Sequence, residues 1–105
     1  MPARKNKLVY LAPAARDMEE IVKYHLTRVG TQSARGIYEQ MKKEIVRLSR
    51  YPLLGQTHPD PLLAQEGFRK LVLTDTYVAV YKIIDDEVVI YRIVNGRTDY
   101  PRLLK

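Results

Sequence analysis

The side chains best suited to chemistry in this sequence are cations and phenols gathered in its last forty residues. They are Arg69, Lys70, Lys82, Arg92 and Arg97, with Tyr77, Tyr91 and Tyr100. Such a set can hold phosphates, because guanidinium and ammonium groups donate charge-assisted hydrogen bonds to phosphate oxygens. For a lysine or tyrosine to act as general base near neutral pH, its pKa must fall by about three units, or about 4 kcal/mol. Nothing in the sequence supplies that shift. Other chemistries lack their residues. There is no glycine-rich phosphate loop and no GxSxG, and two histidines without HExxH spacing make no metal site unaided. No cofactor or metal is expected. The chain has no cysteine, which removes thiolate chemistry, disulfides and cysteine-ligated zinc, and fits a reducing compartment. His25 falls in the apolar stripe of a helix and reads as a core-edge residue. His58 lies in a proline-rich loop, where it can transfer a proton but has no identifiable partner. Asp85, Asp86 and Glu87 read most simply as a turn.

The cations must be positioned by a sheet. Residues 68–73, 77–84 and 88–94 are β-branched and aromatic runs separated by three-residue breaks, which reads as an antiparallel meander. Breaks that short exclude the crossover a parallel pair needs. Before the meander, residues 7–11 form a short strand candidate. Pro13 fits a first helical position, and Met18, Ile21, Val22, His25 and Val29 recur at helical spacing up to Gly30. Asp17, Glu19 and Glu20 fall near the positive end of that helix. Thr31 can cap a second helix carrying Ala34, Ile37, Tyr38, Met41, Ile45 and Leu48, which Pro52 ends. The expected fold is α+β: an N-terminal strand, then an antiparallel two-helix hairpin packed on one face of the C-terminal three-stranded meander, four strands in all. Residues 52–67 hold three prolines and two glycines and read as one long loop, with the leucine pairs 53–54 and 62–63 tacking it to the body. A length of 105 residues suits one domain, 1–105, with residues 1–7 as a basic flexible arm.

Charge and patterning point to partners. Eighteen Lys and Arg against twelve Asp and Glu give a formal net charge of +6. That excess suits an anionic partner, nucleic acid or an acidic protein segment, or else a well-solvated surface. No apolar run reaches membrane-spanning length and the first residues lack a signal-peptide core, so a cytoplasmic protein with no membrane partner is expected. On the second strand of the meander, Val78, Val80, Lys82 and Ile84 share one face, and Lys82 marks it as outward. A three-residue loop at 85–87, or a bulge, brings Arg92 to the same face; a two-residue loop without a bulge sends it into the core. Burying an unpaired guanidinium is costly, which favours the first arrangement. The outward face then carries Val78, Val80, Ile84, Val88, Ile90 and Val94 beside Lys82 and Arg92. That is more apolar surface than a soluble monomer leaves bare, so a partner is expected on Val78, Val80, Lys82 and Arg92.

The helical hairpin, the segment G-F-R-K-L and the closing run R-I-V-N-G-R-T-D-Y-P at 92–101 resemble the RelE/ParE superfamily of toxins from type II toxin–antitoxin systems, which includes plasmid stabilisation proteins. The opening L-A-P-A-A-R-D-M-E-E-I-V-K-Y is also similar to that family's, so the resemblance covers nearly the whole chain. Asn95 stands where the family's ending has His, and Thr98 where it has a second Arg; Asn95-Gly96 can also be read as a plain hairpin turn. The resemblance implies a small antitoxin wrapped around the toxin as a hetero-oligomer, and one of two activities. ParE-like members inhibit DNA gyrase and carry out no chemistry. RelE-like members cut mRNA on the ribosome, and their pattern implies Arg69, Arg97 and Tyr100 as catalytic residues here. The match to that pattern is incomplete, since Leu71 and Val78 stand at positions usually basic. A phosphoryl-transfer site stripped of cations loses transition-state stabilisation, which favours the gyrase side. A non-toxic interaction module on the same scaffold is the third reading. Target contact is expected from Arg92, Arg97, Asp99 and Tyr100, on a tail that Pro101 stiffens, or else Tyr100 packs back on the sheet.

Overall fold

In the computed structural model, which describes residues 5–104, the chain runs β1 (Lys7–Tyr10), α1 (Ala12–Arg28), α2 (Thr31–Arg47), β2 (Gln56–Thr57), α3 (Pro61–Gln65), β3 (Arg69–Val72), β4 (Tyr77–Ile84), β5 (Glu87–Asn95) and a C-terminal 3-10 turn (Tyr100–Leu103). The first four residues of the expected arm lie outside the described residues. Asn6 and Lys7 are already fixed, through Asn6 N–H to Ser49 O at 2.6 Å and Lys7 N–H to Asp86 O at 3.1 Å.

The sheet has five strands in the order β1-β5-β4-β3-β2, one more than the sequence suggested. The meander is antiparallel as expected, while β1 pairs parallel with β5. The added strand and α3 both come from the segment read as loop. Asp60 caps α3 by accepting the N–H groups of Leu62 and Leu63, Pro61 opens it, and Gly67 at φ +90° follows its end.

Two apolar layers cover the two faces of the sheet. On one side Ala14 and Ile21 of α1 and Met41, Ile45 and Leu48 near α2 bury against Leu71, Leu73, Ala79, Tyr81, Val88, Ile90 and Ile93. The helical stripes read from the sequence are thus the core-facing ones, although Tyr38 and Val29 stay exposed. Gly30, at φ +140°, ends α1 by donating to His25 O and is itself the N-cap of α2, so Thr31 is the first helical residue rather than the cap. On the other side Leu63 of α3, Phe68 and Tyr100 cover Val78, Val80 and Val94. The leucine pairs divide unevenly, for Leu63 alone is buried and Leu53, Leu54 and Leu62 are exposed.

The β4–β5 connection combines two of the alternatives. Ile84 pairs with Glu87, which leaves a two-residue turn with Asp85 in the left-handed region at φ +56°. The register then shifts between Val80 and Tyr81, so that Val80 opposes Arg92, Tyr81 opposes Ile90, and Tyr91 is the bulged residue.

Candidate functional site

The outward face of the sheet is not bare. Val80 is fully buried, and Val78 and Val94 nearly so, beneath α3 and the C-terminal turn. Val88 and Ile90 belong to the helix-side core. The expectation of a partner resting on Val78 and Val80 is therefore corrected, because the chain supplies its own cover. Lys82 does lie at the rim of this face. Its ammonium sits 4.4 Å from the Phe68 ring centre and 5.3 Å from that of Tyr91, and those two rings meet edge to face.

Arg92 turns instead towards α1. Its Nε donates to Asp17 Oδ2 at 2.7 Å and its Nη2 to Oδ1 at 2.9 Å, a bidentate fork. Asp17 Oδ2 also accepts the N–H of Ile93 at 2.9 Å. The reason is topological. β1 pairs with β5 only as far as Ile90, so the same edge of β5 lacks a strand beyond that point, and the Asp17 carboxylate takes its place. The hydrogen bonds to Asp17, opposed in part by burial, raise the Arg92 pKa above its ordinary value. Asp17, Glu19 and Glu20 fall beyond the first turn of α1, and the role of Asp17 is this pairing.

Arg69 is a structural clamp. Its Nε donates to Gly55 O at 3.1 Å, its Nη2 to Gly55 O and to Leu53 O at 3.4 Å, and its Nη1 to Thr57 Oγ1 at 3.4 Å. Tyr81 secures the same segment from the core, its hydroxyl donating to Pro52 O at 2.7 Å and accepting Gly55 N–H at 3.0 Å. Along β3, Lys70 pairs with Gln56 of β2 and Val80 of β4, and Leu71 with Ala79 of β4.

In the tail, Tyr100 packs back on the sheet and is buried. Its hydroxyl lies 2.7 Å from His58 Nε2, and the two rings meet edge to face. His58 Nδ1 accepts Asp60 N–H at 3.0 Å, which assigns the imidazole proton to Nε2 and makes Nε2–H the donor to Tyr100. His58 thus has the partner that the sequence did not reveal, 42 residues away. Burial, then Lys70, lower the His58 pKa against an opposing effect of Asp60; burial, then Asp60, raise that of Tyr100. Arg97 and Asp99 are exposed, and Asp99 reaches Arg102 at 4.0 Å across water-facing surface. Arg69 shares the face of Leu71 and Tyr81, whereas Tyr100 lies with Phe68 and Val80 on the opposite face, so the sheet separates the two; Arg92 is held towards α1. His25, at the core edge, has Nδ1 3.2 Å from Ser33 Oγ and stacks edge-on with Tyr77.

The exposed apolar surface lies elsewhere. Tyr10, Ala15, Met18, Val22, Leu26 and Tyr38 line a groove of about 520 Å³ beside α1. Among the described residues no three His, Cys, Asp or Glu side chains gather as a metal site requires, and no helix is long and apolar enough to cross a membrane.

A family described as the ParE toxin of type II toxin–antitoxin systems, parDE, matches residues 8–100. No curated protein matches the sequence. Among solved structures, the chain is similar to one of the chromosomal ParDE toxin–antitoxin system from P. aeruginosa, with 20% identity and a TM-score of 0.74 over 89% of this chain and 98% of that one. It is also similar to a chain of the RelBE2 toxin–antitoxin complex from Mycobacterium tuberculosis, at 24% identity and TM-score 0.56, covering 87% and 98% of the two chains. A chain of the E. coli DinJ-YafQ toxin–antitoxin complex is similar at 14% identity and TM-score 0.58, covering 96% and 99%. At such identities the likeness is one of fold.

Proposed function

The chain belongs to the ParE toxin family of type II toxin–antitoxin systems, and on that premise we propose that this toxin inhibits DNA gyrase by binding it, without catalysis. One observation carries the reading: His58 and Tyr100, two groups able to move a proton, are buried and spent on each other. A ribonuclease needs a base to take the 2′-hydroxyl proton and cations around the phosphate in flight. Burial disfavours both the protonated imidazole and the phenolate here. Two of the candidate cations are also committed, Arg69 to loop carbonyls and Arg92 to a carboxylate. What stays exposed on the tail is Arg97 and Arg102, the latter 4.0 Å from the Asp99 carboxylate, and this is the binding surface. Target contact is assigned to Arg97, Asp99 and Arg102, with Tyr100 as their anchor.

Neutralisation is assigned to an antitoxin, in keeping with the toxin–antitoxin complexes among the similar structures. Its apolar segment is placed in the groove formed by Met18, Val22, Leu26 and Tyr38, since Val78 and Val80 are already covered. Purified toxin is tested against gyrase supercoiling and, in parallel, against mRNA in a translating extract. Loss of supercoiling with intact mRNA supports the reading. Cleavage of mRNA on the ribosome overturns it in favour of the RelE-like alternative.

A further inference from the structure

We propose that His58 is a positioning residue for target contact: by holding Tyr100 it fixes the tail that presents Arg97 and Arg102, and it does so only as the neutral imidazole. This inference rests on the assignment of target contact to the tail. The geometry is that of a latch between two segments distant in sequence. His58 lies at the end of β2, its N–H donating to Phe68 O at 3.1 Å, so its backbone belongs to the sheet. Its Nε2 meets the Tyr100 hydroxyl at 2.7 Å, and Tyr100 begins the 3-10 turn. Arg97 and Arg102 flank that anchor by three and two residues, and both side chains face water. Short internal bonds complete the turn, with Thr98 N–H donating to Asn95 O at 3.2 Å and Leu104 N–H to Pro101 O at 3.1 Å. Bonds of that kind do not hold a terminus by themselves. The buried Tyr100 ring and its hydroxyl partner do.

The requirement for a neutral ring follows from the other nitrogen. Nδ1 accepts Asp60 N–H, so a proton placed there sets donor against donor at the N-cap of α3. The titratable groups facing the imidazole are Lys70 from β3, Asp60 before α3 and Tyr100 from the tail. Lys70 disfavours the added charge and Asp60 favours it, and burial adds to the effect of Lys70. Acidification therefore loosens α3 and the tail together, while the helix-side core keeps its own contacts.

Hydrogen exchange of the Thr98 and Leu104 amides, corrected for intrinsic rates, tests this in wild type, His58→Gln and His58→Leu at pH 7.5 and pH 5. Growth arrest on expression without antitoxin is scored beside it. Glutamine keeps an N–H donor for Tyr100 and does not titrate. The wild-type tail is expected to lose about tenfold protection at pH 5, the loss of one hydrogen bond, that of Asp60 N–H to Nδ1. His58→Gln holds the tail at both pH values and stays toxic, whereas His58→Leu opens it at both and arrests growth weakly. Should His58→Leu not fold, Tyr100→Phe removes the hydroxyl and keeps the ring, with the same expectation. Equal wild-type protection at both pH values, or full toxicity with an opened tail, overturns the inference. Wild-type toxicity with unaffected gyrase overturns the gyrase assignment and leaves the latch standing.

Discussion

At the scale of single residues, two polar contacts join segments far apart in the chain, and each has a measurable cost of removal. Asp17 accepts three hydrogen bonds, two from Arg92 and one from Ile93 N–H, with side-chain exposures of 12% for Asp17 and 26% for Arg92. Breaking a fully buried pair costs about 3–5 kcal/mol and an exposed one at most about 1. Asp17→Asn is therefore expected to destabilise the domain by about 2 kcal/mol in urea denaturation. A loss below about 0.5 kcal/mol would reduce the fork to an ordinary surface bridge. His58 contributes a pH dependence of known sign. Its folded pKa lies below the ordinary 6.5, so between the two values the unfolded chain binds more protons. The contribution is present in full above 6.5 and is lost as pH falls through the folded value. The wild-type melting temperature should fall relative to that of His58→Gln as pH drops from 7 to 5, and parallel curves would contradict this. Neither contact was legible in the sequence, since spacings of 75 and 42 residues carry no local signal.

At the scale of elements, legibility followed locality. The three long strands and both long helices were readable because their period is written in adjacent residues. α3 is written as well, in an N-cap Asp60, a first-turn Pro61 and a closing Gly67, but prolines and glycines at that density read as loop. The burial of Val78 and Val80 followed from α3 and the tail, and so was lost with them. A bulge is one of the alternatives the sequence offers, because an unpaired arginine in the core is too costly; its place at Tyr91 and the Asp17 partner of Arg92 carry no local signal. The loop at 52–55 is held closely by Tyr81 and Arg69. A Cβ on Gly55 would lie 2.6 Å from Lys70 O and 2.7 Å from the Tyr81 hydroxyl, both inside contact distance. Gly55→Ala is expected to cost about 2 kcal/mol or more through overpacking, measured by thermal or urea unfolding. A neutral outcome would mean that Lys70 O and Tyr81 do not confine this loop. On α1, Val22→Asp places a charge in the apolar groove and is expected to weaken antitoxin binding at least about tenfold, for an unpaired polar group at a covered site. A Val22→Asp toxin that co-purifies with antitoxin undiminished would move the interface elsewhere.

At the scale of the whole molecule, the sheet is covered on both faces by the chain's own helices and tail, and its polar side chains are largely committed to holding that arrangement. A net charge of +6 is left over, carried on an exposed surface rather than gathered around a reacting atom. Such a distribution suits recognition of a large anionic or acidic partner and gives association that weakens with salt. A toxin that acts by binding gyrase, as proposed, stops DNA synthesis, whereas one that cuts mRNA stops protein synthesis. The most direct measurement follows DNA and protein synthesis, by incorporation of labelled thymidine and methionine, in the first minutes after the toxin is expressed without antitoxin. Thymidine incorporation is expected to stop first while methionine incorporation continues. An immediate stop in methionine incorporation, with thymidine incorporation continuing, would contradict it.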